Sequence, residues 1–350
     1  MITIEDDGAS MFLDLVETSI KEDRPITREE AQRLLSTKSM SFTLNAYEAL
    51  FNLSVDDMIS IITSLGEASP TQSDPVKRRF EEGFRSCHSL EAVERLRRGL
   101  EAAARIPFEV AEEKALRHLP PDTAIESTVY LTVDVFNPGM VRDGDVGISI
   151  ISGLERVSLD YLAHEFHHVG FANCLSKKPE VERMARSPEA PEEVAIQLIC
   201  HLVSEGMANH YCTPTMVRAG EHKSPRANER IKAYERSLTE MLEETWRLIR
   251  DCLDGGAPLD ECRERAMGIL IDRESILPKV HFIGEKMIAL IDEDPETRPE
   301  DTTGLCNHPE NLVRLYASPA RERGLPSLPD EHAQKILSLV GQAPPTNSHT

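Results

Sequence analysis

The stretch of the chain best suited to chemistry is His164-Glu165-Phe166-His167-His168, which has the pattern H-E-x-x-H. On a helix that turns about 100° per residue, His164 and His168 lie roughly 40° apart and project from one face. Two imidazoles placed in this way can bind one Zn²⁺, and the Glu165 carboxylate beside them can take the proton of a metal-activated water. The pattern therefore predicts a zinc hydrolase. The alternative is a helix that happens to carry three histidines.

The residues around this motif favour the helix that it requires. Ser158 is a plausible N-cap, and Asp160 lies in the first turn, where the helix dipole favours an anion. The arc opposite the two histidines is apolar and would anchor the helix in a core; it comprises Leu159, Leu162, Phe166 and Val169.

A catalytic zinc ion needs a third protein ligand and one position left for water. The longer metzincin pattern, with another His six residues after the second, is not met because position 174 is Cys. Glu205, on a helix predicted over 191–212, is the best candidate and would complete the His₂Glu set that is typical of gluzincins. Its small neighbours Gly206 and Ala208 would let two helices approach closely. The alternative for Glu205 is an ordinary exposed or ion-paired acid.

Other polar residues of the same helix leave the ligand set open. His201 shares the face of Glu205 and competes with it as a ligand. Asn209 falls one turn beyond Glu205, where it could hold a ligand imidazole by a hydrogen bond. His210 is interpreted as a residue of the outer shell or as a structural one.

Two β-strands are predicted just ahead of the motif helix. Residues 127–136 alternate in period two, and 146–151 form a second apolar run. Turn signals lie between them at Asn137-Pro-Gly139 and Asp143-Gly-Asp145. A strand in this position could offer its edge to an extended peptide by β-augmentation, or it could be an ordinary hairpin that covers the core.

The rest of the chain predicts an α+β fold that is predominantly α-helical and zincin-like, with a small sheet or hairpin ahead of the active-site helix. We expect an N-terminal helical region (1–122), a metal-binding catalytic region (123–292), a C-terminal helical region packed on the same body (293–340) and a disordered tail (341–350). Residues 176–191 are expected to form a loop. Apolar spacing and caps predict the other helices at 8–20, 27–36, within 41–67, from 74 onward, 89–118 with a break near Pro107, 229–253, 259–271, 278–291, 309–317 and 329–340.

Composition limits the classes of partner and compartment. The 350 residues carry 39 basic and 60 acidic side chains, and the net charge of −21 argues against nucleic acid or an anionic membrane as a partner. Seven cysteines without a C-x-x-C pair indicate reduced thiols. No signal peptide is evident and no apolar run approaches 18 residues. A soluble cytoplasmic protein is expected, and its oligomeric state stays open.

The order of these motifs resembles a known family of zinc-dependent peptidases, largely described as domains of unknown function, with a gluzincin-like H-E-x-x-H…E-G-x-A signature. The resemblance is carried by Leu162-Ala-His-Glu-Phe-His-His168, Glu205-Gly206-Met-Ala208 and Phe282-Ile-Gly284-Glu-Lys-Met287, and more weakly by Ile26–Leu35. It implies one zinc ion on His164, His168 and Glu205, with Glu165 catalytic. Related families often have Tyr three residues before the glycine that matches Gly284; here that residue is His281.

The expected activity is hydrolysis of a peptide bond in a peptide or protein substrate. Zinc would lower the pKa of its water toward about 7 and polarise the scissile carbonyl, and Glu165 would pass the proton to the leaving amine. The oxyanion would be stabilised by zinc and by a donor from His281, Tyr211 or His210, in falling order of preference. The alternatives are a non-catalytic helical protein, with a structural zinc closed by His201, and a zinc hydrolase that acts on another kind of bond.

Overall fold

The computed structural model describes residues 2–67, 69–135, 138–151, 159–222, 224–271 and 277–341, without the side chains of 49 and 50. It is 67% helical and contains a small four-stranded mixed sheet, which confirms the predominantly α-helical α+β fold. Ser158, Asn137 and the predicted tail beyond residue 341 lie outside the described residues.

The first part of the chain is helical between its first strand and the rest of the sheet. A capping box at Thr27 and Glu30 opens the second helix, as its sequence predicts. The helices are α1 (Asp7–Glu22), α2 (Arg28–Leu35), α3 (Lys38–Phe51), α4 (Val55–Thr63), α5 (Pro75–Arg85), α6 (Leu90–Ala103) and α7 (Phe108–Leu116). The strands are β1 (Ile2–Glu5), β2 (Ser127–Thr132), β3 (Gly139–Arg142) and β4 (Asp145–Ser149).

The second part of the chain is almost entirely helical. A π-helical segment, Ala208–Cys212, continues the helix that carries Glu205. The α-helices are α8 (Leu159–Ser176), α9 (Pro179–Arg186), α10 (Pro191–Met207), α11 (Pro225–Arg236), α12 (Leu238–Leu253), α13 (Leu259–Leu270), α14 (Lys279–Asp292), α15 (Pro299–Thr303), α16 (Leu312–Glu322) and α17 (Asp330–Leu339).

The chain folds into two compact units. The first comprises Met1–Ala111 and Ile125–Glu165, and the second comprises Glu112–Ala124 and Phe166–Thr350. In the first unit, α1 and α3 pack on β2. In the second, α10 packs against α9, α12, α13 and α14, and its buried apolar side chains form the centre of that unit. The predicted division at residues 122, 292 and 340 stays a prediction.

The sheet has the order β1-β2-β4-β3 and contains two strands, β1 and β3, that the sequence analysis did not predict. The two strands that the sequence predicts, β2 and β4, are parallel neighbours and do not form a hairpin with each other. The hairpin joins β3 to β4, with Asp143 and Gly144 both at positive φ as a type I′ turn requires. Strand β1 pairs in parallel with β2. Four-residue strands such as β1 and β3 are too short for their alternation to stand out from the surrounding sequence.

Two helix predictions are wrong. Residues 176–191 are not a loop throughout, because α9 begins at Pro179 and buries Val181 and Met184 on one face. The long helix predicted over 229–253 is interrupted at Ser237, whose amide bonds to both Ala233 and Tyr234. The apolar stripe continues across this break, so periodicity alone does not reveal it.

Helices α10 and α14 cross at a pair of glycines. A β-carbon on Gly206 would lie 2.5 Å from the carbonyl oxygen of Gly284, and one on Gly284 would lie 2.4 Å from the carbonyl oxygen of Leu202. The two backbones are therefore in direct contact. The close approach that the small residues around Glu205 permit is thus an approach to α14.

Two further features concern the whole described chain. None of its helices combines the length and the apolar character that crossing a bilayer requires. All seven cysteines are buried as free thiols, as the absence of a C-x-x-C pair predicts.

Replacing Gly206 by Ala should destabilise the protein by about 1–3 kcal/mol or more, because the added methyl group meets backbone atoms that cannot move aside. Gly268 in α13 is the matched control, since a β-carbon there meets nothing within 4 Å. Gly268→Ala should stabilise the helix by about 0.5–1 kcal/mol. Urea unfolding of both variants measures these changes, and equal stabilities would contradict the crossing.

Candidate metal centre

The motif lies on α8, as predicted. Leu162, Phe166 and Val169 are fully buried, so the apolar arc anchors the helix. His164 and Glu165 are only 6% and 5% exposed. The chemistry-bearing side chains are therefore held on a rigid element and largely shielded from solvent.

His164, His168 and Glu205 form the cluster that the sequence predicts. One ligand atom from each residue lies within 4.8 Å of the others, and Nε2 of His168 is 3.5 Å from Oε1 of Glu205. Two ligands about 2.0–2.1 Å from a tetrahedral ion are about 3.4 Å apart, so this pair already has the spacing of zinc ligands. The residues present therefore fit the ion.

Ser204 orients the second histidine, and the sequence analysis did not identify it. Its hydroxyl lies 2.8 Å from Nδ1 of His168. A hydrogen bond on Nδ1 fixes the ring orientation and leaves Nε2 directed at Glu205. The sequence feature that could have indicated this role is a hydroxyl-bearing residue directly before the ligand Glu205.

His281 and Asn209 hold Glu205 from the other side. Nδ1 of His281 is 2.9 Å from Oε2 of Glu205, and Nδ2 of Asn209 donates to the main-chain oxygen of Glu205 at 2.8 Å. The sequence analysis expected Asn209 to hold a ligand imidazole. In the structure Asn209 contacts Glu205 instead, and its Nδ2 also lies 3.0 Å from Nδ1 of His281. Burial would raise the pKa of Glu205, but His281 and His168 bring it well below its usual value.

His210 and Tyr211, in the π-helical segment, contact the far end of α14. The imidazole of His210 lies 3.5 Å from Glu285 and 3.3 Å from Asp292, and the hydroxyl of Tyr211 donates to Asp292 at 2.8 Å. His118 stacks on the Tyr211 ring at 4.1 Å. Neither residue belongs to the three-residue cluster found among the described residues.

A pocket of about 380 Å³ opens beside Tyr211 and Asp292. Burial and the bond to Asp292 both raise the pKa of Tyr211, so this phenol stays protonated. The other lining residues are Arg117, His118, Thr297, Pro299 and Thr303.

Glu165 packs against the hairpin strand β3. A β-carbon at Gly139 would lie 2.8 Å from Oε1 of Glu165 and 2.6 Å from the hydroxyl of Tyr161. A larger residue at this position would push the carboxylate of Glu165 or the hydroxyl of Tyr161 aside. Tyr161, whose ring is parallel to that of His164 at 6.2 Å, is a second residue that the sequence analysis missed.

The remaining candidates lie outside the cluster. His201 is exposed on α10, one turn before Glu205, and is not among the three clustered residues of the described chain. Cys174 is buried, with its thiol 3.5 Å from Thr123. His167 is fully buried, and burial lowers its pKa to about 3, so it is a neutral core residue.

Comparison with known proteins identifies one family. A family model described as "Putative zinc dependent peptidase (DUF5700)" matches residues 85–316, about two thirds of the chain. The matched range includes every residue of the cluster as well as His281. No curated protein and no solved structure matched.

The contacts of His210 predict a pH-dependent stability. Burial lowers its pKa, but Asp292 and Glu285 outweigh burial and raise it from 6.5 to about 9. Because the folded pKa lies above the ordinary one, the stabilisation is complete below pH 6.5 and is lost as the pH rises through about 9. His210→Gln should therefore cost about 2–3 kcal/mol near pH 6 and much less near pH 10.

Urea unfolding at several pH values measures this difference. Tyr211→Phe is the matched control: it also loses a hydrogen bond to Asp292, but it removes no group that titrates in this range. Its cost should stay constant between pH 6 and 9. A constant cost for His210→Gln as well would contradict the assignment.

Proposed function

Since the chain belongs to the family described as "Putative zinc dependent peptidase", we propose that it hydrolyses peptide bonds with one zinc ion held by His164, His168 and Glu205. The observation that carries this proposal is the convergence of these three side chains within 4.8 Å. Glu165, next to His164 and nearly buried, is the general base.

The donor set supports zinc and a catalytic use of it. Two histidines and one glutamate are the ligands of gluzincin-type sites, in which the fourth position belongs to water or substrate. When bound, zinc supplies a water of lowered pKa and a positive charge for the developing oxyanion. His201 is not part of the cluster, so no fourth protein ligand of the kind expected for a structural ion is found among the described residues.

Glu165 has the surroundings that proton transfer needs. In the proposed reaction its carboxylate accepts the proton of the attacking water and returns it to the nitrogen of the departing amine. Gly139 lies against it, and the hydroxyl of Tyr161 lies beside the same glycine, so the strand limits the positions that the carboxylate can take. A held carboxylate loses little entropy on reaching the reactive geometry.

The donor to the oxyanion stays a prediction. The hydroxyl of Tyr211 donates to Asp292, His210 lies between two carboxylates, and Nδ1 of His281 lies against Glu205. These contacts favour structural or positioning roles for all three residues.

The edge of the sheet supports a peptide as the substrate. Strand β3 is the last strand of the described sheet. The amide of Ser149 donates to Pro138 at 2.9 Å, and alternation along an antiparallel pair then directs the N–H and C=O groups of Gly139 and Val141 away from β4. An extended peptide that paired with these groups would run directly past Glu165.

Glu165→Gln should keep zinc bound but lower kcat by at least about 10²–10⁴-fold, because the amide cannot accept the water proton. Metal content is measured by elemental analysis, and turnover is measured with a library of fluorogenic peptides. Wild-type protein stripped by a chelator should lose turnover and recover it when zinc is added. His164→Ala should lose both zinc and turnover. A Glu165→Gln variant that is as active as the wild type would remove this mechanism.

Val141→Pro should raise KM for peptides by about tenfold with a smaller change in kcat, because it removes an outward N–H that the substrate would use. Proline is tolerated on an edge strand when its missing N–H faces outward, so the stability should change little. Met140→Pro is the matched control, since Met140 pairs with Gly147 and its N–H is directed into the sheet. An unchanged KM in a folded Val141→Pro variant would show that peptides bind elsewhere.

A further inference from the structure

We infer that His281 is a positioning residue, which uses an N–H at Nδ1 to fix the outer oxygen of Glu205 so that the inner oxygen faces the ion. This inference rests on the proposed metal site. It assigns His281 a role different from the oxyanion donor expected from the sequence.

The donors and acceptors around His281 determine where the proton lies. Nδ1 lies within hydrogen-bond distance of Oε2 of Glu205, at 2.9 Å, and of Nδ2 of Asn209, at 3.0 Å. An unprotonated Nδ1 would set its lone pair against the ionised carboxylate, which can only accept. A proton on Nδ1 makes the shorter contact a charge-assisted hydrogen bond.

The orientation of the Asn209 amide agrees with this assignment. Its Nδ2 donates to the main-chain oxygen of Glu205 at 2.8 Å, and its Oδ1 accepts from Thr213 at 3.4 Å. Exchanging the amide atoms would place two oxygens 2.8 Å apart, so the amide orientation is fixed by its partners. The amide nitrogen carries two N–H groups. One donates to the main-chain oxygen of Glu205 at 2.8 Å and the other can be directed to Oε2 of the same residue at 3.5 Å, so neither needs His281 as an acceptor.

The backbone holds the two side chains in this relation. Glu205 directly precedes Gly206, His281 lies one turn before Gly284, and these two glycines are in backbone contact. The donor and the carboxylate thus come from helices that cannot separate without losing that contact. With Oε2 held by His281, Oε1 remains 3.5 Å from Nε2 of His168.

A held ligand should bind metal more tightly than a mobile one. The side chain of glutamate has several rotamers, and each hydrogen bond that selects the binding rotamer reduces the entropy lost on coordination. Outer-shell partners of this kind typically change metal affinity by about 10–100-fold.

The test is a pair of substitutions, each of which places a side-chain amide near the position of one of the two ring nitrogens. In His281→Asn the side-chain amide reaches about as far as Nδ1, and in His281→Gln it reaches about as far as Nε2. We expect zinc affinity within about threefold of wild type for His281→Asn and about 10–100-fold weaker for His281→Gln. Competition with a chromophoric chelator measures the affinity in full-length protein, and kcat and KM are recorded alongside.

A second measurement locates the proton in the wild-type protein itself. The nitrogen shifts of ¹⁵N-labelled histidine in zinc-loaded wild-type protein report which ring nitrogen carries the proton. We expect His281 to carry it on Nδ1; a neutral ring protonated only on Nε2 would overturn the inference. The His281→Asn spectrum assigns the signal by its loss.

The outcomes separate this inference from the proposed function. Equal zinc affinity in all three proteins overturns the positioning role and leaves the peptidase proposal standing. Full turnover in His281→Gln with a loss in His281→Asn at equal zinc affinity would show that the residue acts through Nε2. The expected order of affinities without any peptide hydrolysis by wild type supports the positioning role and contradicts the peptidase proposal. A wild type that binds no zinc overturns both.

Discussion

The candidate metal centre depends on the contact between the backbones of α10 and α14. Where Gly206 meets Gly284, no side chain separates the two helices. The carboxylate of Glu205 and the imidazole of His281 lie within one turn of this contact, and their 2.9 Å separation follows from it. A larger residue at either glycine would move the third metal ligand away from its partner as well as reduce stability.

The change from α- to π-helix after Met207 has a related role. Three consecutive residues, Asn209, His210 and Tyr211, each contact a residue of α14. On a regular α-helix, consecutive side chains point about 100° apart and would not all face one neighbour. A π-turn holds more residues and so reduces this angle, and such turns occur frequently at functional sites. Lys114 donates to the carbonyl of Cys212, the last residue of this segment.

The sequence predicts the parts of this site that depend on local spacing. The H-E-x-x-H pattern, the helix over 191–212 and the choice of Glu205 all follow from periodicity within one element and from the coordination chemistry of zinc. Pairing between distant segments does not: β1 joins β2 although helices α1 to α7 lie between them in the chain, and β2 meets β4 in parallel. The sequence analysis missed Ser204 and Tyr161 for a similar reason. A hydroxyl group in a helix is common, and each of these contacts a residue of another element: His168 of α8 for Ser204, and Gly139 of β3 for Tyr161. Location in the cytoplasm and the absence of nucleic-acid and membrane partners stay predictions from composition, and the oligomeric state stays open.

The π-helical segment also constrains how this stretch of sequence can vary. A π-turn holds one residue more than the α-turn that it replaces. Deleting one residue between Gly206 and Cys212 would turn the segment back into a regular α-helix, with one side chain fewer between α10 and Thr213. Asn209, His210 and Tyr211 could then no longer all keep their contacts with α14. The length of this short stretch is therefore constrained along with the identity of its residues, because an insertion or deletion there disturbs several contacts with α14 at once.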